Sequence, residues 1–187
     1  MGDLSNVVLV DMDGVLADFD RHVVELLGVA CPELCTATTR TDFYLKQAYP
    51  QYAEQIRAVT SAPGFFASLP LIDDAQEGWE RIKQAGFVPR ICSAPLVSHD
   101  ACADEKRAWL AVHFGDAVAE EAIIDGRKDA HPGIALIDDR PYLRGSDEAQ
   151  WQHIVFDTAY NRQIRAPRLC GWLDPDLPRL LADARER

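Results

Sequence analysis

The chain has 187 residues, 48% of them apolar, and 30 acidic against 19 basic side chains give a formal net charge of −11. That size and apolar share suit one α/β domain, or one domain with an inserted subdomain, and exclude a disordered chain. The acidic balance argues against a nucleic-acid polymer as partner, and no apolar run approaches the roughly 18 residues that span a membrane.

Met1-Gly-Asp-Leu-Ser5 lacks the basic start of a secretory signal, and the five cysteines (Cys31, Cys35, Cys92, Cys102 and Cys170) are odd in number and scattered. Both features fit a reducing cytoplasm and small buried thiols better than a disulfide framework. Val7–Val10 is an apolar run and predicts a short buried strand. Residues 21–27 have helical periodicity and stop at Gly28. Between 29 and 70 the strand–helix rhythm is lost; that stretch holds Pro32, a Thr-rich run at 36–41, Phe43-Tyr44 and a helix predicted near 52–59. It reads as a small helical insertion placed to cover the strand ends.

The rhythm then resumes. A helix is predicted over 73–85, with Asp74 near its N-cap and Gly86 beyond its end. Strand 87–92, helix 104–114 closed by Gly115, and strands 122–124, 134–137 and 153–156 follow. A polar helix or frayed end occupies 174–187, with a solvated acidic face over 174–183. Alternation of this kind predicts a mostly parallel sheet covered on both faces, with ligands at the carboxyl ends of the strands.

Those ends carry the chemistry. The first strand runs into Asp11-Met-Asp-Gly14, the strand at 87–92 into Ser93-Ala94-Pro95, and the strand at 134–137 into Asp138-Asp139; Lys128 precedes the last of these. Crowded carboxylates demand a cation, and hard oxygen donors suit Mg²⁺. Asp11 is then the candidate nucleophile and Asp13 the acid/base. Ser93 and Lys128 are placed to hold phosphate oxygens, and Lys106 is a second cation within reach. The metal set is Asp11, Asp13 and Asp139, with a backbone carbonyl supplying one contact.

The order of these motifs resembles the haloacid dehalogenase (HAD) superfamily of phosphatases: Asp-x-Asp-Gly at 11–14, Ser93, Lys128, then Asp138-Asp139. The resemblance implies a Rossmann-like three-layer αβα core over 1–28 and 71–187, with a small helical cap at 29–70. Within the superfamily, Asp11–Phe19, Pro63–Phe66, Ile91–Pro95, Glu105–Trp109 with Phe114-Gly115, and Leu136–Pro141 look like the 5′(3′)-deoxyribonucleotidases. These blocks keep the family's order over roughly residues 6–160.

The implied activity is Mg²⁺-dependent removal of phosphate from deoxynucleoside monophosphates. The family's nucleophile falls on Asp11 and its acid/base on Asp13. Its phosphate contacts fall on Ser93 and Lys128, its base-facing aromatic on Phe19, and its cap contacts on Phe43, Tyr44, Leu45 and Phe66. Two departures stand out: Ala94 replaces a second hydroxyl, and no Trp lies between 29 and 70, where Tyr44 stands in its place. The resemblance also implies a homodimer. A HAD phosphatase for a sugar phosphate is the nearest alternative. A receiver-like phosphoacceptor domain is disfavoured because its acid pair would come first and its phosphoacceptor later.

Overall fold

The structure is a computed structural model that describes residues 5–34 and 39–187. Cys35 lies outside the described residues, as do the first four residues and 36–38.

Six parallel strands form the sheet: β1 (Val7–Val10), β2 (Val88–Ser93), β3 (Ile123–Ile124), β4 (Ala135–Asp138), β5 (Gln152–Phe156) and β6 (Arg168–Leu169), in the order β3-β2-β1-β4-β5-β6. The chain leaves β1 toward β2 and β3 on one side, then crosses to β4 on the other. β1 and β4 therefore flank the point where the winding reverses, which is where a parallel sheet opens a crevice at its carboxyl end. In register, Val10 pairs with Ile91 on one side and Ile137 on the other, and Asp11 N–H donates to the Ile137 carbonyl at 2.9 Å. Asp11 and Asp138 consequently leave neighbouring strands at the same level.

Both faces of β1 are buried, as its unbroken Val-Val-Leu-Val run requires. Val8 and Val10 join a core with Ile91, Ala135 and Ile137. To it α1 (Phe19–Leu27), α4 (Ala75–Gln84), α5 (Cys102–Phe114), α6 (Asp116–Glu121) and α7 (Leu177–Arg185) contribute their buried residues. Val7 and Leu9 face the other way, onto Cys92, Leu136 and Trp151. Here the covering layer is thin, made of Trp151, Leu143 and Ala149 from the β4–β5 connection, with a 3₁₀ turn at Lys128–Ala130 nearby. Trp172 ties the tail to the core. Its indole donates to the Val15 carbonyl at 2.8 Å, and its ring lies so close over α4 that a Cβ on Gly78 would sit 2.1 Å from it.

Between α1 and α4 the described residues form two short helices, α2 (Leu45–Ala48) and α3 (Ala53–Thr60), with 3₁₀ turns at Pro50–Tyr52 and Phe66–Ser68. The two ends of this stretch are fastened together. Ile72 N–H donates to the Leu16 carbonyl and Asp18 N–H to the Pro70 carbonyl, both at 2.8 Å, and Ala17 bridges Leu71.

Three expectations need correction. The strand at 152–156 is not the last, because Arg168–Leu169 adds a sixth. The tail is not a solvated face throughout: Leu177, Leu180 and Leu181 are buried on one side of α7, while Asp183 faces water. Asp74 stands at the N-cap of α4 as expected, its backbone left-handed (φ 61°) and its side chain making no capping bond. Helix α1 starts at Phe19, two residues before the expected start, because the Asp18 carboxylate accepts from Arg21 N–H at 3.0 Å and caps it there.

Candidate active site

Four carboxylates meet at the carboxyl ends of β1 and β4. Asp11, Asp138 and Asp139 are buried, and one oxygen from each lies within 4.8 Å of the others. Like charges at that spacing cannot all ionise without positive charge nearby. Lysines supply part of it. Lys128 Nζ lies 2.5 Å from Asp138 Oδ2 and 2.9 Å from Asp11 Oδ1. Lys106, fully buried, donates to Asp13 and Ser93 Oγ at 2.8 Å each and to the Ala94 carbonyl at 2.9 Å.

The acids divide by environment. Burial works against an ionised Asp11, but the Lys128 and Lys106 ammonium groups outweigh it and hold its pKa below the ordinary carboxylate value. At Asp13 burial prevails over Lys106, and the charge of Asp11 adds to it, so its pKa is raised. Asp139 is raised well above the ordinary range by burial, then by the charges of Asp138 and Asp11. Lys128 is desolvated, yet Asp11 and Asp138 raise its pKa and keep it charged. An ionised carboxylate beside a protonatable one is the pairing expected of a nucleophile and its acid/base partner.

The residues fit a hard cation. Three carboxylates converge, Asp139 is left with excess negative surroundings, and the buried Asp13 Oδ1 has no hydrogen-bond partner among the described residues. Asp139 can approach this closely only because residue 14 is glycine. Its φ is +78°, and a Cβ there would lie 2.2 Å from Asp139 Oδ2. The cluster takes in Asp138, absent from the sequence-based metal set, and not the Asp13 carboxylate, which is turned toward Lys106.

Above the carboxylates lies a cavity of about 470 Å³ whose walls are mostly apolar. Phe19, Phe43, Tyr44 and Leu45 line it, together with Asp13 and Asp139. Phe66 does not line it. It is 1% exposed, packs edge-on against Phe65 at 5.1 Å, and lies beneath Phe19 with its ring 5.3 Å from Lys106 Nζ. Ala94 contributes its carbonyl to Lys106 and no side-chain polar atom.

Several residues of the site were not among the sequence-based candidates. Tyr160 donates its hydroxyl to Asp139, and Asn161 donates to the Asp139 carbonyl at 2.8 Å. The polar run Asp157–Asn161 after an apolar strand was the available clue, since a parallel strand points its carboxyl end at the crevice. Arg140, next to the acid pair, lies over the Phe43 ring and donates to the Tyr44 hydroxyl. Asp20 and Arg40 form a buried ion pair in the cavity wall, at 2.7 Å.

A parallel sheet of this order, with an Asp-x-Asp-Gly turn after β1, a hydroxyl at the end of β2 and an acid couple at the end of β4 whose first member pairs with a lysine, defines a HAD-type hydrolase. A HAD family hydrolase from Deinococcus radiodurans R1, solved with bound phosphate and sodium, shares the fold: its TM-score is 0.58 over 97% of both chains, at 18% identity. Residues 5–184 match the family model described as 5′ nucleotidase, deoxy (pyrimidine), cytosolic type C protein, and the chain belongs to that family of phosphoric monoester hydrolases. A human protein named 5′(3′)-deoxyribonucleotidase, cytosolic type, is 34% identical over 182 residues, covering 89% of each chain. A Bordetella pertussis protein provisionally named a 5′(3′)-deoxyribonucleotidase is 34% identical over 167 residues, covering 87% of this chain and 90% of its own.

Proposed function

We propose that the protein is an Mg²⁺-dependent phosphatase that hydrolyses deoxynucleoside monophosphates through an aspartyl-phosphate on Asp11. One observation carries the reading: the Asp11 carboxylate, grouped with Asp138 and Asp139 and 2.9 Å from Lys128 Nζ, adjoins an aromatic-walled cavity of nucleoside size that its neighbours Asp13 and Asp139 line. The family and the names of its relatives support a nucleotide as substrate.

Asp11 and Asp139 would hold Mg²⁺, with Asp138 beside them; when bound, the ion offsets phosphate charge and lowers the repulsion an attacking carboxylate meets. Everything else falls to the chain. The Asp11 oxygen attacks phosphorus, and the bond from phosphorus to the ester oxygen breaks. Asp13, whose raised pKa favours its protonated form, delivers the proton to that leaving oxygen. Asp13 then takes a proton from water, which attacks phosphorus, frees Asp11 and yields inorganic phosphate. Lys128, Lys106 and Ser93 hold the non-bridging oxygens and fix the carboxylates between steps. Phe19 and Phe43 form the walls against which a base packs, and the 29–70 stretch acts as a cap over the core.

A substrate panel tests this: dUMP, dTMP, dGMP, UMP, the 3′-monophosphates and 2-deoxyribose 5-phosphate, each with Mg²⁺. The reading predicts the highest kcat/KM on a deoxynucleoside monophosphate. Preference for the sugar phosphate over every nucleotide contradicts it.

A further inference from the structure

Arg40 is 7% exposed, and its donors are almost fully engaged. Nε and Nη2 grip the two Asp20 oxygens at 2.7 and 3.1 Å, and Nη1 donates to the backbone carbonyls of Asp42 and Phe43. The Arg40 Cζ lies over the Tyr160 ring, 4.0 Å from its centre, and the Phe43 ring meets the same Tyr160 ring edge-on at 5.6 Å.

What this joins matters more than its strength. Asp20 follows Phe19 directly on α1, on one wall of the cavity. Arg40 holds the carbonyls that lead into Phe43, Tyr44 and Leu45, on the other wall. The ion pair is thus a cross-link between the two aromatic walls, one residue from each. A buried ion pair is a weak source of net stability, since an apolar pair of equal volume often does as well. What only the planar fork supplies is direction: a bidentate grip on one wall and two carbonyl contacts on the other. Arg40 does not serve as a phosphate anchor. Its charge is answered by Asp20 at 2.7 Å, and none of its hydrogen bonds reaches Asp11, Asp13, Ser93 or Lys128.

We propose that Arg40 is a positioning residue for substrate choice: with Asp20 it sets the separation of the Phe19 and Phe43 walls, and so the enzyme's preference for a phosphate ester that carries a base over one that does not. This rests on the nucleotide reading above. Arg40→Lys keeps the charge beside Asp20 but cannot make the fork and both carbonyl contacts; Arg40→Met removes the charge at similar length.

The test compares kcat/KM on dUMP with kcat/KM on 2-deoxyribose 5-phosphate, which has the same sugar and phosphate without the base. In Arg40→Lys the ratio is expected to fall about tenfold or more, mainly through KM for dUMP, since misplacing a substrate wall by an ångström has effects of that size. Should Arg40→Met fail to fold, Arg40→Lys carries the test alone, with folding checked by circular dichroism. An unchanged ratio overturns the proposal, and so do equal losses on both substrates, which a purely structural role would give. A native enzyme that prefers the sugar phosphate sinks the nucleotide reading instead; a native preference for dUMP that Arg40→Lys retains sinks only the role of Arg40.

Discussion

Lys128 illustrates how much of the site depends on single buried charges. It neutralises Asp11 and Asp138 together, and neither has another cation within ion-pair distance among the described residues. Lys128→Met would leave two buried carboxylates uncompensated, a loss of about 3–5 kcal/mol by the usual cost of breaking a buried pair. Urea unfolding in metal-free buffer is expected to show a fall of that order, and an unchanged midpoint would mean that the pair contributes little. The role of this lysine was legible because it precedes the acid pair by the spacing seen in a known family. Lys106 was legible only as a cation on a nearby helix; its contact with Asp13 joins residues 93 positions apart, which no local pattern encodes. Arg40 and Asp20 were not legible at all. A Thr-rich stretch without periodicity says nothing about which of its residues turns inward, and the partner lies on another element.

At the scale of elements, α5 fastens the 61–66 loop to the core. The Glu105 carboxylate accepts from Gly64 N–H at 2.7 Å and from Phe66 N–H at 3.0 Å, with His99 Nε2 3.0 Å away. Burial opposes its ionisation, but these donors prevail and hold its pKa below the ordinary value of 4.5. A carboxyl whose pKa is depressed on folding stabilises the fold above its unfolded pKa, and loses that effect as pH falls through the folded one. Native protein should therefore melt above Glu105→Gln at neutral pH, with the two Tm values converging as pH drops below about 4.5. A gap that stays constant with pH would contradict the ionic account. Packing on α4 is just as specific. Gly78→Ala drives a Cβ into the Trp172 ring, and overpacking of that kind costs about 1–3 kcal/mol, readable as a lower denaturation midpoint.

Longer elements were legible from periodicity: β1, α4, α5 and the strands at 88–93, 135–138 and 152–156 fall within a residue or two of expectation. Strand β6 was not: Arg168-Leu169 lacks the apolar run that marked the equally short edge strand β3. The amphipathic character of α7 was masked by Arg179, Asp183 and Arg185, which occupy only its outer face.

For the whole molecule, the paradox is an acidic protein that handles an acidic substrate. The net charge of −11 would repel a phosphate ester, so the site must be locally positive. Lys106 and Lys128 offset part of the four clustered carboxylates, and Mg²⁺ would supply the rest. Chelation with EDTA is accordingly expected to stop turnover and added Mg²⁺ to restore it; metal-independent turnover would contradict the proposed site. Among the described residues no helix is long and apolar enough to cross a membrane. The parallel sheet, with its winding reversal at β1 and β4, brings residues from 11 to 139 to one place, and the order of motifs in the sequence already implied that convergence. The aromatic cavity was implied less fully. Phe19, Phe43, Tyr44 and Leu45 do line it, but Arg40, which ties the Phe43 wall to α1, comes from a segment with no helical or strand pattern.

The central claim is that Asp11 is the nucleophile, and its most direct test is phosphate release from dUMP with Mg²⁺ by native protein and by Asp11→Asn, the fold of each verified by circular dichroism. The account predicts steady release by the native enzyme and none above background by the variant, while the variant keeps the native spectrum. Release by pure, folded Asp11→Asn at a rate near native would contradict it.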